Sequence, residues 1–141
     1  MVALSCLLFV TLLCSPFITR LSLCSQIEWD GAVDVRGVDI DADVLICQNE
    51  SGKPEVAVYH EYAEADACRE VVGTRVKPRR GELLNRSAVI TLENVHAGAG
   101  ASLAEERLFA EKIERRTHRM DCKLISYDAE AGQWKFRCSG F

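Results

Sequence analysis

The side chains best suited to catalysis are His60, in Tyr59-His60-Glu61-Tyr62, with Glu93 and His96 further along the chain. Two imidazoles with a carboxylate and an arginine can cleave RNA without a metal. One group takes the proton of the 2′-hydroxyl, a second protonates the leaving oxygen, and the arginine stabilises the phosphorane. Yet His60 and His96 each fall at the end of an expected strand, where exposed polar residues are common. Surface positions are the plainer reading, so His60, Glu93 and His96 stand as weak catalytic candidates.

A second arrangement suggests calcium. Asp39-Ile40-Asp41-Ala42-Asp43-Val44-Leu45-Ile46-Cys47-Gln48-Asn49-Glu50 puts carboxylates at EF-hand loop positions 1, 3, 5 and 12 and an apolar residue at 8. Val44 occupies position 6, where the sharp turn calls for glycine, and Gly52 and Pro54 stop a following helix. An acid-faced edge strand explains the same pattern. No cysteine pair has C-x-x-C spacing and the three histidines are not clustered near the cysteines, which argues against zinc. Neither a metal nor a cofactor is expected.

Basic residues raise two further readings. Lys77-Pro78-Arg79-Arg80-Gly81 resembles a dibasic processing site, with Lys77, Arg79 and Arg80 exposed by their Pro/Gly context. A solvated basic turn is the simpler reading. Arg75, Lys77, Arg79, Arg80 and Arg86, with Arg115, Arg116, Arg119 and Lys123, could form an anion-binding patch. Arginines near a helix C-terminus also complement its dipole, and aromatic residues for base stacking are sparse. Nucleic acid is therefore not an expected partner.

The first 25 residues give these sites a setting. Val2 to Ile18 is almost uninterruptedly apolar, and Ser22-Leu23-Cys24 has the small-x-small pattern read by signal peptidase. Pro16 and Arg20 interrupt the run, where a membrane anchor needs about 20 apolar residues in a row. A lipidated Cys24 fits less well, because Leu23 stands where a small residue is wanted. The expectation is a signal peptide over 1–25 and a single secreted domain over 26–141, free of the membrane once the signal is removed.

Removal would leave four of the seven cysteines, Cys47, Cys68, Cys122 and Cys138. An oxidising compartment would join them in two disulfides of undetermined connectivity. Asn49 and Asn85 head glycosylation sequons, Asn49-Glu50-Ser51 and Asn85-Arg86-Ser87, so a glycoprotein is expected. Charge is uneven. Residues 26–70 hold 12 acids and 3 bases, and residues 71–141 hold 9 acids and 13 bases. The acidic balance argues against general nucleic-acid affinity.

The elements that must position these groups are legible from periodicity. Gln26 to Gly37 reads as an arm anchored by Trp29, and the alternation from Val38 to Cys47 as a strand. Glu55–His60 reads as a strand and Glu61–Val72 as a helix stopped by Gly73, with Cys68 facing the core. Thr74–Lys77 is a short strand and Ala88–Val95 the clearest one. A capping box, Ser102-Leu103-Ala104-Glu105, opens a helix that runs to Arg119. Its expected buried stripe is Phe109, Ile113, Thr117 and Met120, with Leu108 beside it. Lys123–Tyr127 and Gln133–Cys138 form a hairpin. The order predicts an α+β fold: a ferredoxin-like sandwich, an antiparallel sheet with two helices on one face, plus an extra N-terminal strand.

Two resemblances follow from these residues. The Tyr-x-His segment at Tyr59 to Glu61 resembles the small fungal guanyl-specific ribonucleases, although their single long helix precedes the sheet. The signal-like segment, the four cysteines, the Lys77–Arg80 site and the doubled β-α-β order together resemble small secreted fungal effectors with the ferredoxin-like fold of killer toxins. That resemblance implies a toxin-like virulence protein that binds a host or competitor protein without catalysis. It would be extracellular, with entry into a host cell as one destination. The alternative is a secreted ribonuclease-like hydrolase.

Overall fold

The computed structural model describes residues 18–20, 25–48, 54–60, 62 and 75–141. Its strands are β1 (Ile18–Arg20), β2 (Gln26–Trp29), β3 (Val44–Gln48), β4 (Pro54–Val58), β5 (Ala88–Leu92), β6 (Cys122–Asp128) and β7 (Gln133–Cys138). A single helical turn, α1 (Ile40–Asp43), precedes β3, and a long helix, α2 (Leu103–Arg119), joins β5 to β6. Five strands form an antiparallel sheet in the order β1-β2-β5-β7-β6, and β3 and β4 form a separate hairpin. The fold is thus α+β, with an antiparallel sheet and two helices.

β5 lies at the middle of the sheet, and all five of its residues are buried. A strand covered on both faces reads as a continuous apolar run, as Ala-Val-Ile-Thr-Leu does. Its register sets rows of side chains across one face. Ile27 pairs with Ile90, Ile90 with Phe136, and Phe136 with Leu124. The row beside it runs Trp29, Ala88, Cys138 and Cys122, and its last two members form a disulfide. On the other side Leu92 pairs with Trp134 and Trp134 with Tyr127. A register shift between Leu124 and Ser126 makes this last pairing work. With strict alternation Leu124 and Tyr127 would point to opposite faces; one extra residue, Ile125, turns both inward.

α2 covers these rows. Its Ser102 hydroxyl accepts from the Glu105 N–H at 3.4 Å, and the Glu105 carboxylate accepts from the Ser102 N–H at 2.8 Å, a complete capping box. Ile113 and Thr117 are buried, and Phe109 lies 6.0 Å from Tyr127, ring to ring. The Thr117 hydroxyl donates to the Ile113 carbonyl and accepts from the Trp134 indole at 3.0 Å, so this buried polar atom is fully used. The expected stripe ends there. Met120 is 40% exposed because it is the C-cap, after which Asp121 takes a left-handed φ of 55° and turns the chain toward β6. Leu108, at 54%, also faces out.

The ferredoxin-like plan holds only in one half. β5 and β6 both pair antiparallel with β7, so they run parallel with β7 between them, and α2 makes the crossover. This is one split β-α-β unit. The other half differs, because β4 pairs with β3 and not with the main sheet. The expected helix over 61–72, with Cys68, lies outside the described residues apart from Tyr62, as does Asn49. Thr74 also lies outside them, and Val76 makes only an isolated bridge where a short strand was expected.

Val38–Cys47 is not one strand either. Asp39 caps α1 by accepting from the Ala42 N–H, and Asp43 turns inward and is buried. The alternating acids therefore serve as a cap and a buried acceptor and do not line a strand face. Among the described residues there is one disulfide, Cys122–Cys138, and Cys47 is half-buried and free. No described helix is long and apolar enough to cross a membrane.

Ile113→Ala should cost about 2–4 kcal/mol by opening a cavity under α2. Leu108→Ala should stay within about 0.5 kcal/mol. Urea unfolding followed by circular dichroism separates the two.

Candidate functional site

The register of β5 against β7 brings distant residues together at one end of the sheet. Ala88 faces Cys138, so the residues after Cys138 run back beside those before Ala88. Here the loop 78–87 is closed on itself. The Asn85 N–H donates to the Glu82 carbonyl at 2.8 Å, and the Gly81 N–H donates to the Asn85 carbonyl at 2.7 Å. The Arg79 N–H donates to the Glu82 carboxylate at 3.0 Å. Gly81 has φ +92°, a conformation that suits glycine.

Asn85 joins this loop to the C-terminal segment. It is 3% exposed; its Nδ2 donates to the Pro78 carbonyl at 2.7 Å, and its Oδ1 accepts from the Phe141 N–H at 2.7 Å. Gly140 lets the segment approach, since a Cβ there would sit 2.7 Å from Asn85 Oδ1. Arg80 donates to the Ser139 hydroxyl at 3.3 Å. The Phe141 ring lies 6.2 Å from that of Trp29, whose indole donates to the Leu84 carbonyl at 2.9 Å. Ser139-Gly140-Phe141 thus occupies a seat made by Arg80, Asn85 and Trp29. A cleft of about 320 Å³ beside it is lined by Ser87, His118, Asp121, Cys122, Lys123, Arg137 and Ser139.

Electrostatics reinforce this end of the sheet. Asp30 accepts from the Ser87 hydroxyl and from the Arg137 guanidinium, closing the rim between β2, β5 and β7. The Ser87 hydrogen bond first, and Arg137 with it, holds the Asp30 carboxyl below the usual carboxylate range. A second polar group surrounds Asp43, which accepts from the Asp39 N–H at 3.1 Å and from the Tyr62 hydroxyl at 2.7 Å. That bond to a carboxylate raises the Tyr62 pKa. Arg75 donates to the Tyr62 hydroxyl at 3.2 Å.

The sequence-derived candidates are distributed differently. His60 follows Tyr59, whose hydroxyl accepts from the Leu84 N–H at 3.1 Å, ahead of β5. Glu93 and His96 follow β5, about 15 Å along the strand direction. Glu93 accepts from Gln133 at 2.8 Å, and His96 packs over Gly132, where a Cβ would fall 2.3 Å from its Nε2. The three do not converge on a common reacting atom. Among the described residues no group of three or more His, Cys, Asp or Glu could hold a metal. Arg79 and Arg80 are exposed, the first joined to the loop through its backbone N–H and the second to the seat through its guanidinium. The Asn85 amide, read as a glycan acceptor, is buried with both its polar atoms in use. The seat itself left no trace in sequence spacing, because Asn85 and Phe141 are 56 positions apart.

This architecture has relatives. The family model for Nucleoporin2, the Nup98-96 autopeptidase S59, matches residues 14–141, and the chain belongs to that family. The chain is similar in structure to the Nup145N APD of Chaetomium thermophilum, studied as a mutant fused to Nup145C N. The TM-score is 0.62 at 22% identity, over 84% of this chain and 73% of that one. It is also similar to a chain of the yeast heterotrimeric Nup82-Nup159-Nup116 nucleoporin complex, with a TM-score of 0.54 and 20% identity over 83% and 75%. The C-terminal domain of the nuclear pore complex component NUP116 from Candida glabrata matches with a TM-score of 0.55 and 16% identity over 98% of both chains. At these identities the likeness is one of fold. No curated protein matches the chain.

The family overturns the functional expectations drawn from the N-terminal segment. The chain is not a fungal effector of the killer-toxin kind, and the virulence and toxin roles go with that resemblance. A secreted ribonuclease-like hydrolase using His60, Glu93 and His96 is overturned by the same match. Extracellular localisation, entry into a host cell and a host or competitor partner are overturned too, since the relatives are nuclear pore proteins. The family match begins inside the segment read as a signal peptide, and β1, within that segment, pairs with β2.

Asn85→Ala should strip the Pro78 carbonyl and the Phe141 N–H of their partner, destabilising the fold by about 1–3 kcal/mol. Faster hydrogen exchange at Phe141 would report release of the segment, and Asn85→Asp, which sets a buried carboxylate oxygen against the Pro78 carbonyl, should destabilise at least as much at neutral pH. Because the Asp30 carboxyl is depressed on folding, its contribution is present above its unfolded pKa of about 4 and lost as pH falls through the folded value. Ser87→Ala should raise the Asp30 titration midpoint measured by NMR.

Proposed function

We propose that this chain is a structural domain of the nuclear pore that docks other nucleoporins. The observation that carries this reading is the family match across residues 14–141, which takes in every described strand and α2. The matched yeast structure, a heterotrimeric Nup82-Nup159-Nup116 complex, supplies the precedent for association with other nucleoporins. The seat formed by Arg80, Asn85 and Trp29 supports it, since it already holds an extended peptide segment through one backbone N–H, one hydroxyl and one ring.

Self-cleavage, the activity in the family's name, would draw on Ser139. Its Oγ would attack the Cys138 carbonyl carbon, and its proton would pass to the Ser139 nitrogen as the C–N bond breaks. This leaves a free amine and a Cys138 ester on Oγ, which water hydrolyses to the Cys138 carboxylic acid and the restored hydroxyl. The Arg80 guanidinium donates to that same oxygen, which lowers its nucleophilicity, and the Cys138 sulfur is held in a disulfide. Docking is therefore the favoured role.

A fluorescently tagged chain expressed in its own cells should collect at the nuclear rim and co-purify with pore components. Recovery from the medium or the secretory pathway would overturn the reading. Mass spectrometry of the purified chain after prolonged incubation should show no loss of the three residues beyond Cys138, and their loss would establish self-cleavage.

A further inference from the structure

We propose that the groove between the second half of α2 and the outer edge of β6 docks an acidic, extended segment of a partner nucleoporin, which adds to β6 as a further strand. The source of the segment rests on the docking role proposed above; the recognition chemistry rests on the groove. Its volume is about 1160 Å³. Thr117, Cys122 and Leu124 form its floor, and Lys112, Arg115 and Arg119 stand exposed along its helix wall. Glu114 is the one acid among its lining residues.

Two independent features define the occupant. The first is the backbone of β6. It is the last strand of the sheet, paired with β7 on one side and with no described strand on the other. An unpaired strand edge presents alternating N–H and C=O groups that an extended peptide can satisfy. The bulge at Ile125 interrupts that edge only beyond Cys122–Leu124, the stretch that lines the groove.

The second feature is charge. Helix-dipole complementarity explains cations in the last turn of α2, but not Lys112 in its middle or Lys123 beyond its end. Lys123 pairs across the sheet with Arg137 and so belongs to the face opposite Cys122 and Leu124. Cations therefore flank the open edge on both faces. Side chains of an added strand point alternately to those two faces, so acidic residues in either phase meet a positive group. No Phe, Tyr or Trp lines the groove and His118 is its single ring, whereas single-stranded nucleic acid is held by successive bases stacking on several aromatic side chains.

The test uses the full chain and a fluorescein-labelled synthetic peptide of alternating glutamate and valine, followed by anisotropy. Binding should weaken steeply with salt. Arg115→Glu combined with Arg119→Glu should raise Kd about tenfold or more. The neutral pair Arg115→Gln and Arg119→Gln should give a smaller rise, with circular dichroism verifying the fold of both. The same peptide methylated on alternate backbone nitrogens keeps its charge but loses donors for strand pairing, and should bind at least about fivefold more weakly. Unchanged binding by the charge-reversed chain or by the methylated peptide would overturn the proposal. So would tighter binding of a single-stranded RNA that displaces the peptide. A chain that reaches the nuclear rim but ignores the peptide would remove the groove proposal and leave the pore role standing. A chain that binds the peptide but stays away from the rim would do the reverse.

Discussion

The register of β5 is the constraint on which the rest of the structure depends. Its five residues are buried and it is paired on both sides, so its alternation decides which residues of β2 and β7 face α2. A slip of one position would send Ile90 and its row to the opposite face. It would also dismantle the C-terminal seat. Asn85 stands just ahead of β5 and Ser139–Phe141 just after β7, so the antiparallel pairing of Ala88 with Cys138 carries Phe141 back to Asn85. The hydrogen bond there follows from the sheet register and adds a polar lock to it.

Around this frame the cations divide by task. In the loop 78–87, the Arg80 guanidinium donates to the Ser139 hydroxyl and that of Arg86 to the Ala32 carbonyl. Arg137 is held by Asp30. Those of α2 remain exposed, and among the described residues their one ion pair is the long, solvent-exposed one from Arg115 to Glu111 at 4.0 Å. Such a pair contributes little to stability. Basic residues that are contiguous in composition thus serve folding at one end of the sheet and leave a charged wall at its β6 edge.

Legibility varied with the range of the interaction. The capping box at Ser102 and Glu105, the α2 span and the β6–β7 hairpin were readable because their partners lie within a few residues. Asp39–Asp43 was misread because alternation in sequence is the same whether an acid faces solvent or, like Asp43, turns inward to a tyrosine 19 positions away. The bulge at Ile125 was not readable, since its only signature is which residues finally face Trp134 and Phe136. Function was misread because the likeness to secreted effectors rested on composition and element order without a diagnostic motif, and the family match over residues 14–141 overturns it.

By itself, the sequence determined the α+β class, the N-terminal cap and span of α2, the hairpin and the apolar run of β5, all set by local periodicity and backbone satisfaction. Tertiary structure alone decided the strand order, the pairing of Cys122 with Cys138, the separation of His60 from Glu93 and His96, and the meeting of Asn85 with Phe141. The physical reason is that these depend on long-range strand pairing. The pairing is selected by the packing of both sheet faces together and is not encoded in any one segment.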